Sequence, residues 1–355
     1  YVMTFPLTIM LGDEAKFYLQ RDGWQPELFN ALVGASGGAK LLGIAHLDKF
    51  LFSEFLARSH HPMELYGSSI GSWRHAALAS PDPSQALEQL QNRYLSQTWD
   101  RNDKRSREEI VDGLCNWVLD GFLTDETIEH IVHHPRFRTH IMTARGIGLN
   151  GRANDWLLAL GLVTSAATNL LHRKMLELGF QRIVFSSGPS AAFNFRDFDT
   201  LHVPLSGSLL RSALLASGSI PFLMGGITLH QETPPGRYWD GGIIDYHFDF
   251  KNQTGPGLVL YPHFNQHIIP GWFDKNLPWR RQSTEVLSRT VVIAPSENYL
   301  SQLPGRKIPD RKDFNRYDNN ERLEIWNAAV ERSQLLAEAF SEMISHHNPM
   351  AFVAN

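Results

Sequence analysis

A chain of 355 residues, 43% apolar and 20% charged, can bury a large core and has the composition of a water-soluble globular protein. A net charge of −4, with no long Lys/Arg block, argues against nucleic acid as a partner. One cysteine, Cys115, excludes an internal disulfide and fits a reducing compartment; its apolar neighbours Leu114, Val118 and Leu119 mark it as a small core residue rather than a catalytic thiol.

The first residues show no basic segment followed by a long apolar core, as a secretory signal would. No stretch reaches the ~20 apolar residues that cross a bilayer. The expected location is the cytoplasm, with peripheral membrane contact as the option left open. Residues 7–11 are β-compatible, 13–21 form a short helix ended near Gly23, and 29–33 are a buried strand. A glycine loop follows, Gly34-Ala35-Ser36-Gly37-Gly38-Ala39-Lys40, then a helix over about 41–57 with Leu42, Leu47, Phe50 and Leu51 on its apolar face. The next strand ends at Tyr66 and runs into Gly67-Ser68-Ser69-Ile70-Gly71, with a helix-compatible stretch at 73–79. Strand, glycine turn and helix, twice in succession, predict parallel strands in α/β layers.

Residues 82–137 are expected to be mostly helical and more polar, with a solvated charged face at 101–109. Residues 139–144 and 182–186 read as strands. Between them, 156–171 carries no charge and is expected to be a buried helix, a lipid-facing helix being the alternative. Residues 209–217 form a helix stopped by Gly218 and Pro221, and 237–244 a short strand interrupted by Gly241 and Gly242. Residues 258–263 and 291–294 are strand-like. The stretch 267–283, with two prolines and two tryptophans, reads as a loop forming a lid or rim. Residues 319–344 make an amphipathic helix with Leu323, Trp326, Val330 and Phe340 on its apolar side. With no repeat and no linker, the expectation is one domain over 1–355, with a helical insertion at about 82–137 and a closing helix at about 319–344.

Ester hydrolysis at a serine needs a hydroxyl, a base and donors aimed at the oxyanion. Gly67-x-Ser69-x-Gly71 between strand and helix supplies the hydroxyl: the turn strains Ser69 and points it at the positive end of a helix. Backbone N–H groups of Gly37, Gly38 and Ile70 supply the donors. Asp240, in Trp239-Asp240-Gly241-Gly242, is the candidate base. Its glycines let a carboxylate approach another loop, although Asp-Gly-Gly alone reads as a turn.

Together, Ser36-Gly37-Gly38-Ala39-Lys40, Gly67-Ser68-Ser69-Ile70-Gly71 and Asp240-Gly241-Gly242 resemble the patatin-like phospholipases, bacterial members of similar length in particular. Ser217-Gly218-Ser219-Ile220-Pro221 is similar to the helix-end segment that precedes the family's aspartate. The resemblance spans about 29–245. It implies a three-layer α/β/α fold with a mainly parallel central sheet and helical insertions. It also implies a Ser69–Asp240 dyad without a catalytic histidine, an oxyanion hole at Gly37 and Gly38, and no metal or organic cofactor. Lys40 matches the loop's basic position, which supports the loop or neutralises substrate phosphate. The implied activity is that of a serine acyl-ester hydrolase on lipid or phospholipid substrates. Two departures bear on pocket shape: Ser36 where the family usually has glycine, and Asp245-Tyr246-His247 where it often has Asn and Pro.

Competing readings attach to other residues. Gly34-Ala35-Ser36-Gly37-Gly38 is a second Gly-x-Ser-x-Gly, but its upstream loop would be Gly12-Asp13-Glu14, whose acids oppose an oxyanion. His346 or His347 would complete a Ser–Asp–His triad of the α/β-hydrolase order. Asp245, His247, Asp249, His263 and His267 offer a weak metal set, since no His-x-x-x-His lies on a helix. Arg74 faces either a substrate phosphate or a salt bridge on the helix surface. Trp272, Phe273, Trp279, Arg280 and Arg281 meet lipid or form a packed aromatic rim with solvated arginines. A non-catalytic lipid-binding scaffold is the remaining alternative.

Overall fold

The computed structural model describes residues 5–100, 102–283 and 285–353, so Arg101, at one end of the expected charged face, lies outside the described residues. Ten strands join in one sheet: β1 (Leu7–Leu11), β2 (Phe29–Gly34), β3 (Met63–Ser68), β4 (Phe137–Gly146) and β5 (Phe180–Ser186), followed by β6 (Thr200–Pro204), β7 (Ile227–Leu229), β8 (Gly236–Asp240), β9 (Leu258–Pro262) and β10 (Thr290–Pro295). Their order is β1-β10-β9-β2-β3-β4-β5-β6, with β8 on β4 and β7 on β8. The centre, from β10 through β9, β2 and β3 to β4, is parallel. Antiparallel pairs appear towards the edges. Central strands covered on both faces need continuous apolar runs, and the sequences of β9 and β10 supply them: every residue of both is buried.

Helices flank this sheet: α1 (Asp13–Asp22), α2 (Ala45–Phe50), α3 (Ile70–Leu78), α4 (Pro83–Leu95), α5 (Arg107–Leu119), α6 (Asp125–Val132) and α7 (Asp155–Leu171). Then come α8 (Gly207–Ser217), the short α9 (Gly242–Asp245), α10 (Glu297–Ser301) and α11 (Asp313–Arg316), and finally α12 (Asn319–Arg332) and α13 (Gln334–Ser345). The expected helix at 41–57 is broken: a 3₁₀ stretch precedes α2, and a wider π-type turn, Leu51–Phe55, follows it. That wider turn buries Leu51, Phe52 and Phe55 together, with Phe55 edge-on to Phe29 and Phe340. The expected closing helix is also two. They meet at Ser333, whose hydroxyl bonds back to the Val330 carbonyl (2.6 Å) and accepts the His46 N–H (3.1 Å).

Helix α7 corrects the expectation of a buried helix. Only Leu158, Gly161, Leu162, Ser165 and Asn169 are buried, over a small satellite core with Ala144, Phe180 and Trp239. The opposite face leaves Trp156 85%, Val163 66% and Leu171 76% exposed. No helix among the described residues is long and apolar enough to cross a membrane.

Strand β4 positions the site. On one edge it pairs with β3 through Met142, which faces Ser68, and then with β8 from Thr143, which faces Asp240. Because β3 runs parallel to β4 and β8 antiparallel, their C-terminal ends meet head-on along that edge. The residue after Ser68 and the last residue of β8 are thereby brought together.

Candidate active site

Ser69 sits in the gap between β3 and α3 with φ 54° and ψ −127°, a left-handed-region backbone that a serine adopts only under constraint. The constraint is packing. A side chain on Gly71 would run into the carbonyl of Gly34 on β2, and one on Gly67 into the backbone of Ser72. Glycine at both positions lets β2, β3 and α3 close on the turn.

The Ser69 hydroxyl donates to Asp240 Oδ2 at 2.7 Å, and Asp240 Oδ1 accepts the Gly242 N–H at 2.7 Å. Both side chains are buried. Burial raises the Asp240 carboxyl to about 6; the hydrogen bonds from Ser69 and Gly242, and the charges of Lys275 and Arg311, pull the other way. The end of α8 fixes the distance between the two residues. Ser217 Oγ accepts the Ser69 N–H (2.9 Å) and donates to the Met142 carbonyl (2.6 Å). The carbonyls of Ser219 and Ser217 accept the N–H groups of Asp240 (2.8 Å) and Gly241 (3.1 Å). Ser217 stood in a segment recognised in the sequence, yet its bridging role arises only from tertiary contact.

A cavity of about 410 Å³ opens over this pair, lined by Ser69 and Asp240 together with Gly37, Gly38 and Lys40. Gly38 has φ 56°, and a side chain on Gly37 would meet the Phe264 ring, so the loop can present backbone N–H groups only with glycine there. Ile70 is the first residue of the nine-residue α3, where N–H groups point away from the helix. Lys40 is half-buried, and burial lowers its ammonium pKa. The lining also includes Trp272, Lys275, Asp310, Arg311 and Lys312, none of which except Trp272 was singled out in the sequence.

The rival residues are placed differently. Ser36 is buried in the same wall and donates to Ser68 Oγ at 3.0 Å, without a carboxylate partner among the described residues. Arg74 meets neither substrate phosphate nor solvent: it is a fully buried partner of Asp48, with two bonds of 2.6 Å. Among the described residues His247 is the one histidine lining the cavity; its Nδ1 accepts the Ile269 N–H, and burial holds its pKa well below the ordinary value. His346 accepts the Asn348 N–H instead, and neither it nor His347 lines the cavity. Asp245 is bound to Arg182 at 2.7 Å, which removes it from the metal set. Among the described residues no three His, Cys, Asp or Glu gather as a metal site would require. Trp279 is 68% exposed, and Arg280 donates to the Asn169 carbonyl of α7. Cys115 is half-buried, and burial pushes its thiol up to about 12.

The sequence model of the family described as patatin-like phospholipase matches residues 32–247, a span that holds the glycine loop, Ser69 and Asp240. No curated protein and no solved structure matches the chain significantly.

Proposed function

The chain belongs to the patatin-like phospholipase family, and from that premise we propose that it is a serine acyl-ester hydrolase of lipid esters, with Ser69 as nucleophile and Asp240 as its base. The 2.7 Å contact between Ser69 Oγ and Asp240 Oδ2 carries this reading. The Asp240 carboxylate takes the hydroxyl proton as Ser69 attacks the ester carbonyl. The N–H groups of Gly37, Gly38 and Ile70 receive the oxyanion, each donor contributing roughly 3–4 kcal/mol in the transition state. Protonated Asp240 then gives its proton to the departing alkoxide, leaving an acyl-Ser69. In the second half Asp240 takes a proton from water, which attacks the acyl group, and the proton returns to Ser69 as the acid leaves. No step calls on a metal or an organic cofactor. A fluorophosphonate probe tests the assignment: the probe should attach to Ser69, and a folded protein that stays unlabelled would favour a lipid-binding scaffold instead.

The base must be ionised to act, so kcat/KM on a neutral ester should fall as pH drops through about 6, the value to which Asp240 is raised. A fall centred near 4 would deny Asp240 that part.

A lipid surface is the proposed partner of α7. From Trp156 to Leu171 this helix has no charged residue, and its outward face is apolar. Its inner face touches the rim of the cavity through Asn169, which donates to Asp274 beside Trp272. Sinking that face into an interface would bury several apolar side chains at about 1.5–3 kcal/mol each. Trp156→Asp with Leu160→Asp should therefore weaken vesicle co-sedimentation at least ~10-fold. Unchanged sedimentation would remove α7 from the membrane.

A further inference from the structure

Among the described residues four cations line the cavity, Lys40, Lys275, Arg311 and Lys312, against two carboxylates, Asp240 and Asp310. Asp310 is already engaged: Lys307 Nζ lies 2.9 Å from its Oδ2, and its Oδ1 accepts the Lys312 N–H at 2.7 Å. Among the described residues none of the four cations has a carboxylate within salt-bridge distance. Lys275 rests instead on aromatic faces, its ammonium 4.0 Å from the Tyr246 ring centre and 5.7 Å from that of Trp272. Lys40 lies 6.0 Å from the ring centre of Phe264.

Such a wall is electrostatically incomplete. Burial, followed by repulsion from Lys40, Arg311 and Lys312, draws the Lys275 ammonium down to about 7, against the attraction of Asp240. An anion entering the cavity would oppose that repulsion and favour the charged form of Lys275. Three of the cations, Lys275, Arg311 and Lys312, lie beyond residue 247, outside the segment matched to the family.

We propose that Lys275, Arg311 and Lys312, with Lys40, form a subsite for the phosphate of an anionic lipid headgroup, which makes the enzyme selective for anionic over zwitterionic phospholipids. The proposal rests on the reading of Ser69 and Asp240 as an esterase pair. A headgroup with its own quaternary ammonium would bring a fifth cation to a wall already in excess. A phosphate without one supplies the missing charge and two or three acceptor oxygens.

Two measurements test it on the full chain at pH 7, where Lys275 keeps part of its charge and Asp240 is mostly ionised. The first needs no turnover: calorimetric titration with inorganic phosphate should show binding to the wild type, at least tenfold weaker in Lys275→Gln/Arg311→Gln and restored towards the wild type by Lys275→Arg with Arg311 intact. The second compares kcat/KM on phosphatidylglycerol and phosphatidylcholine in the same neutral detergent micelles. The wild type should favour phosphatidylglycerol, and Lys275→Gln/Arg311→Gln should reduce that ratio at least tenfold. Inorganic phosphate should compete with phosphatidylglycerol. Equal rates on the two lipids, or a ratio the double substitution leaves unchanged, overturn the proposal. Phosphate that binds without inhibiting assigns the site to free phosphate and overturns the headgroup reading. If Ser69→Ala hydrolyses lipid like the wild type, the esterase pair is wrong, and the calorimetric result still judges the anion site separately.

Discussion

Ser69→Ala should lower ester turnover by at least ~10³-fold and abolish fluorophosphonate labelling, because among the described residues no other group in the cavity joins a hydroxyl to a carboxylate. Asp240→Asn should come close to it, since the amide cannot accept the hydroxyl proton. The double variant should be no worse than Ser69→Ala alone, as expected of groups that act as one unit. Ser36→Ala should keep its label, its hydroxyl being directed at Ser68. Loss of labelling in Ser36→Ala with retention in Ser69→Ala would reverse the assignment. Stability should move the other way at Asp240. Its folded-state pKa, about 6, lies above the ordinary 3.8. Between those values the folded chain therefore holds the proton more tightly than the unfolded chain. Stability from this group is complete below about 4 and is lost as pH rises through about 6. Asp240→Asn removes that loss, so at pH 8 the inactive variant should melt no lower than the wild type.

The second large effect is structural. Arg74 and Asp48 are both fully buried, and neither has water to turn to if the other is removed. Arg74→Ala or Asp48→Ala should cost about 3–5 kcal/mol, read as a lowered midpoint in urea. Replacing both by apolar residues of similar volume, Asp48→Leu with Arg74→Met, should recover most of that, since the penalty belongs to the stranded charge. Single variants as stable as the wild type would mean that the pair is solvated in solution. The loss should reach the site as well: the Arg74 guanidinium lies 5.6 Å from the ring centre of Phe264, the ring against which Gly37 packs.

How much could be read in advance follows from where the information lies along the chain. β2 and β3 were legible because each is a short, mostly apolar run leading into a glycine, and the turn at Ser69 because it lies between such a run and a helix-compatible stretch. β6 and β7 were not: their residues are mostly exposed or half-buried, so neither an apolar run nor an alternation marks them. The break inside 41–57 escaped because the apolar spacing suited a helix while the packing of Phe52 and Phe55 required a wider turn. In α7 the error was one of environment. An uncharged helix normally means burial, and composition does not tell a protein core from an open face. Lys275, Arg311 and Lys312 lie in segments without periodicity and meet Lys40 only in three dimensions.

The head-on meeting of β3 and β8 along β4 makes Ser69 and Asp240 behave like two marks on a single ruler. Sliding β8 by one position would turn the Asp240 side chain to the far face of the sheet, and sliding it by two would carry it roughly 7 Å away. Tolerance of length changes is therefore lopsided. An extra residue at 230–235, in the turn before β8, can be looped out ahead of the paired segment. One inserted between Trp239 and Gly242 has nowhere to go, and would disturb the contact of Ser69 with Asp240 with every chemical group still in place.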